Sequence, residues 1–74
     1  MALLELKEGE RAIIIDHSCS PDQRDYFLTY GITVGSVFIK NYSPSYADLV
    51  NITIGGKMLS IRKSDFNTLE WVRI

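Results

Sequence analysis

Leu49-Val50-Asn51-Ile52-Thr53-Ile54-Gly55-Gly56-Lys57-Met58-Leu59-Ser60-Ile61 alternates apolar and polar residues on both sides of a two-glycine centre. Gly55-Gly56 tolerates the positive φ angles of a tight hairpin turn, so the stretch is read as two antiparallel strands, Leu49 to Ile54 and Lys57 to Ile61. Counting outward from the turn sets Ile54 opposite Lys57, Ile52 opposite Leu59 and Val50 opposite Ile61. Apolar pairs then fall on one face, the register that a half-buried hairpin requires.

Outward from the hairpin the same strand signals recur. Arg11 to His17 is β-branched at its centre and flanked by charge, and predicts a first strand. Leu3 and Leu6 precede it as a lead-in that lays two leucines on the core. Ser36 to Tyr42, entered through Gly35, predicts a second strand, and Asn41 to Asp48 a loop centred on Ser43-Pro44-Ser45. Beyond the hairpin, Arg62 to Phe66 reads as a short turn with a 3₁₀ turn near Ser64. Thr68 to Arg73 reads as a last strand, with Leu69 and Trp71 facing the same way. Phe27, Phe38 and Trp71 are assigned to the core.

Ser20-Pro21-Asp22-Gln23 opens a helix. The serine hydroxyl caps it, proline suits the first turn, Asp22 complements the helix dipole, and Gln23 sits where a capping box is completed. The helix runs through Tyr30 and ends at Gly31, with Ile32 placed to pack back on Phe27. Strand, short helix, strand, hairpin and strand in so short a chain predict a mainly β fold. About five strands would curl into a small SH3-like β-barrel that hides its edges, with one short α-helix between the first and second strands. Residues 1-74 are read as a single domain, because 74 residues leave room for no more.

Composition excludes several functions. Acidic residues number 9 and basic residues 8, a net charge of −1, so the cationic surface that neutralises phosphates is missing and nucleic-acid binding is not expected. Cys19 is the one cysteine, so no internal disulfide can form, and a reducing, cytoplasmic compartment is expected. Met1 to Glu5 shows neither a basic n-region nor a sustained apolar run, so neither a signal peptide nor direct membrane insertion is expected.

Asp16, His17, Cys19 and Asp22 lie close in sequence between the first strand and the helix. His17 and Cys19 are genuine metal-ligand types, yet firm zinc sites take four ligands at recognised spacings. They are weak metal candidates, set against a polar turn with an incidental thiol. No catalytic residues are assigned: His17 and Cys19 lack a third orienting group, and Gly55-Gly56 lacks the following Lys-Ser/Thr of a phosphate loop. No cofactor is expected. The tyrosines point elsewhere. Tyr26 and Tyr30 on the helix, and Tyr42 and Tyr46 on the loop after the second strand, offer the large contact area with a polar tip common at protein interfaces. With Arg24 and Asp48 they form the candidate partner-binding set. Val72 and Ile74 could support weak self-association.

The ordered landmarks resemble the FeoA family. They are Leu3-x-x-Leu6-x-x-Gly9 before the first strand, a helix leading into Gly31-Ile32-Thr33-Val34-Gly35, a Pro44-to-Asp48 loop, a strand ending in Gly56, and Leu59-x-Ile61-Arg62-Lys63-Ser64-Asp65. The family pattern departs at Gln23, Tyr26, Tyr30 and Val34, and its Gly-Asp-Pro loop is represented by Ala47-Asp48-Leu49. The resemblance implies an SH3-like domain without catalytic residues, serving as a cytosolic accessory to FeoB, the membrane GTPase-permease that imports ferrous iron. Such a partner could recruit the chain to the inner face of the membrane. The same domain at the C-terminus of iron-dependent repressors of the DtxR type implies the rival reading, a sensor or carrier of Fe2+ or Zn2+ using Asp16, His17 and Cys19.

Overall fold

A computed structural model describes residues 6–44 and 47–74. In chain order the elements are β1 (Arg11–His17), α1 (Pro21–Thr29), β2 (Val37–Lys40), β3 (Leu49–Ile54), β4 (Lys57–Arg62), α2 (Lys63–Phe66) and β5 (Leu69–Arg73). The strands form one antiparallel sheet in the order β4-β3-β2-β1-β5. The β3–β4 hairpin has the register read from the sequence, with Val50, Ile52 and Ile54 paired to Ile61, Leu59 and Lys57. Strand β2 is shorter than expected. The strand ends at Lys40, although one ladder bond runs past it: the Asn41 amide donates to Asn51 O at 2.8 Å, and its side chain donates to Thr53 Oγ1 at 2.8 Å.

The sheet curls but does not close. β4 and β5 are the two outer strands, and the connection between them passes through α2. A flat ladder of this width would hold its outer strands roughly 19 Å apart. A helix as short as α2 advances only about 6 Å, so the link reaches across only when the edges bend toward one another. The near-equal extents of 29 × 25 × 23 Å reflect that curl. Hydrogen-bonded closure, expected from the sequence, is replaced by a seam that α2 spans. The predicted 3₁₀ turn is also corrected, to a short α-helix that drives Phe66 into the core. Phe66 meets Phe38 edge-on at 5.2 Å, and Phe38 meets Trp71 at 6.4 Å. These three rings, with Leu6, Ile14, Phe27, Ile52 and their neighbours, make the buried cluster. Leu3 lies outside the described residues.

Strand β1 is the hinge of the arrangement, pairing with β2 on one side and β5 on the other. Its register against β5 shifts between Ile14 and Asp16, which leaves Ile15 exposed at an irregularity. An ion pair of 3.1 Å between Glu10 and Arg73 ties the start of β1 to the end of β5. No helix among the described residues is long and apolar enough to cross a membrane.

Candidate functional site

Helix α1 carries its own start and stop. Ser20 Oγ accepts the amide of Gln23 at 3.3 Å, with Pro21 opening the first turn. The other half of the expected capping box is directed elsewhere: Gln23 Nε2 donates to Asp65 Oδ1 of α2 at 3.1 Å, a charge-assisted bond that couples the two helices. At the far end Gly31 has φ +75°. The Gly31 amide donates to Leu28 O at 3.0 Å and the Ile32 amide to Phe27 O at 2.9 Å, the paired bonds of a Schellman stop. Ile32 and Phe27 are both buried beneath it.

With Phe27 turned into the core, the helix shows two flanks to solvent. Tyr26 and Tyr30, one turn apart, share one of them and meet edge-on at 5.1 Å. Both are half-exposed, and they form one wall of a groove whose other wall is Met58, Leu59, Ser60 and Ile61 of β4. The groove continues past Tyr26 to Gln23, Leu49, Arg62 and Asp65. Met58 is 76% exposed, a large apolar side chain held in water beside two aromatic rings. Arg24 lies on the opposite flank, where it lines a second hollow with His17, Cys19 and Leu28.

The His17–Cys19 turn is held by structural bonds. The Cys19 amide donates to His17 Nδ1 at 3.3 Å, which leaves the proton of the neutral ring on Nε2. Cys19 Sγ lies 3.1 Å from Thr68 Oγ1, and the Ser18 amide donates to Thr68 O at 2.8 Å, so the turn is stitched to the entry of β5. Asp16 Oδ1 accepts the amide of His17 at 2.8 Å. Among the described residues no group of three or more His, Cys, Asp or Glu side chains could hold a metal ion. A His17→Ala, Cys19→Ser double variant is expected to leave affinity for Fe2+ and Zn2+ unchanged by calorimetry. Loss of a submicromolar site in that variant would establish the metal reading instead.

On the loop after β2, Tyr42 is 65% exposed, and its carbonyl accepts Asn51 Nδ2 at 2.9 Å. Ser43 Oγ accepts the Asn51 amide at 2.9 Å, so the loop is braced against β3. Asp48 is exposed, and its carbonyl accepts the amide of Lys63 at 2.8 Å, which ties the loop's end to the start of α2. Tyr46 lies outside the described residues. Of the partner-binding residues suggested by the sequence, the structure brings Tyr26 and Tyr30 together and sets Arg24, Tyr42 and Asp48 outside their groove. Sequence reasoning missed Met58, Leu49 and Arg62 on the groove. Their place follows from the position of β4 at the edge of the sheet, which strand spacing alone does not give. The described residues bury no polar or charged side chain.

The FeoA domain model matches residues 1–70 of the chain. The crystal structure of an iron uptake regulatory protein, FeoA, superposes with a TM-score of 0.86 at 19% identity, covering 100% of this chain and 97% of that one. The solution structure of FeoA from Chlorobium tepidum gives 0.85 at 22% identity, with 100% and 70% covered. A crystal structure of ScaR with bound Zn2+ gives 0.86 at 18% identity, and there this chain covers 100% of itself but 37% of ScaR. At such identities these structures share the fold with this chain. No curated protein sequence matches it.

Proposed function

The chain belongs to the FeoA family, and on that premise we propose that it is a cytoplasmic, non-catalytic accessory of ferrous-iron uptake that binds the cytosolic part of a FeoB-type membrane GTPase-permease. The observation that carries this reading is the aromatic groove. Tyr26, Tyr30 and Met58 hold apolar surface in water on a rigidly capped helix and a strand edge. Exposed apolar surface flanked by polar residues marks a contact site in a small protein. Tyr42 and Asp48 on the braced loop, and Arg24 on the other flank of α1, would add peripheral contacts.

An accessory of this kind changes its partner only through differential affinity for the partner's conformations. The test uses the purified chain and the detergent-solubilised transporter, with and without guanine nucleotide. The expected result is co-elution whose strength depends on the nucleotide, and slower or faster Fe2+ uptake in cells that lack the chain. No co-elution together with unchanged uptake would refute the proposal. The metal-sensor alternative draws on the fold shared with ScaR, while the bonds that occupy His17 and Cys19 do not favour it.

A further inference from the structure

Among the described residues, one side of the β4 backbone has no strand partner. In a hairpin closed by a two-residue turn, the residue pair nearest the turn exchanges hydrogen bonds, and every second pair after it does the same. Lys57, Leu59 and Ile61, opposite Ile54, Ile52 and Val50, therefore direct their N–H and C=O groups to β3. Met58 and Ser60 direct theirs the other way, where no further strand lies among the described residues. That row of donors and acceptors belongs to the β4 wall of the Tyr26–Tyr30 groove. Exposed edges are normally twisted away, covered or charged; this one carries Lys57 and Arg62 at its two ends and leaves Met58 and Ser60 exposed between them.

We propose that the groove binds an extended segment of a partner protein, which adds to β4 as a further antiparallel strand, presents small or β-branched residues to Tyr26 and Tyr30, and is flanked by acidic side chains. The proposal takes the adaptor reading as its basis and names the mode of contact. An extended chain is the ligand whose alternate N–H and C=O groups repeat at the ~6.8 Å spacing of Met58 and Ser60. The charge follows from the strand itself. Lys57 and Arg62 bracket β4, both exposed, and β4 carries no acidic residue. Of the nearby acids, Asp65 at the groove's end is engaged by Gln23, Asp25 lies on the opposite flank of α1, and Asp22, exposed one turn before Tyr26, lines neither the groove nor its continuation. A second copy of β4 offers Lys57 and Arg62 no acidic partner, because the strand carries none.

The experiment is a heteronuclear NMR titration of the full chain with the peptide acetyl-DEVTVTED-amide. Three control peptides accompany it: two backbone-methylated at alternate residues, one in each phase, and one with lysine replacing every acid. The expected result is shifts centred on the Met58 and Ser60 amides with the first peptide. Methylation in one phase should weaken binding about tenfold, the effect of losing edge hydrogen bonds, and the lysine peptide should not bind. Met58→Pro removes an outward N–H while sparing the ladder to β3, and should likewise weaken binding about tenfold. If that variant fails to fold, the Lys57→Glu, Arg62→Glu double variant should reverse the preference and select the lysine peptide.

Shifts confined to residues away from β4, or equal binding of every methylated peptide, would overturn the inference. So would protection of the Met58 and Ser60 amides without peptide in a concentration-dependent dimer, which would assign the edge to a second copy. Co-elution with the transporter that persists in Met58→Pro sinks the inference and leaves the adaptor reading standing. Peptide binding together with no effect of the chain on iron uptake does the reverse.

Discussion

Phe66→Ala is expected to lower the free energy of unfolding by about 3–5 kcal/mol, read as a shifted midpoint in urea at unchanged slope. Phe66 is fully buried and packs edge-on against Phe38, which in turn meets Trp71. It descends from α2, the element that spans the seam between the outer strands, so truncation opens a cavity where no ladder holds the edges together. A chain of this length has only ~4–11 kcal/mol in total, so the variant should stand near its unfolding threshold at growth temperature. A loss below about 1 kcal/mol would mean that the seam closes without the ring.

Tyr26→Ala with Tyr30→Ala carries the largest functional effect. Removing both rings should weaken binding to the transporter's cytosolic part by at least about 30-fold, the size of an aromatic hot spot. Both side chains are half-exposed, so the unfolding free energy should change by no more than ~1 kcal/mol. Affinity by surface capture and stability by thermal melt, run on the same preparation, separate the two effects. Unchanged affinity in a folded double variant would place the contact elsewhere, with Tyr42 and Arg24 the next positions to change.

The parts legible in the sequence were those whose cause is local. The register of β3 on β4 follows from Gly55-Gly56 and the alternation around it, and the limits of α1 follow from Ser20, Pro21 and Gly31. Three features depended on neighbours remote in sequence and were not legible. Gln23 reaches Asp65 because α1 and α2 lie side by side. Phe66 is core because its four-residue helix follows an outer strand and leads into the other one. The ladder is open because β1, and not β4, takes β5 as its partner. The candidate surface divides the same way. The tyrosines of α1 were visible as aromatics at helical spacing, whereas the strand edge facing them emerged only with the order of the sheet.

The locally fixed limits of α1 carry a consequence for how such a surface can diverge. Phe27 is buried in the core and touches the ring of Tyr26 beside it, so the azimuth of positions 26 and 30 is keyed to the interior. Sliding the helix by one residue would swing them about 100° and pull Phe27 out of its socket. A descendant acquiring a new binding preference is therefore free to exchange the letters written at those positions, while the direction in which they are read stays set by the protein's interior.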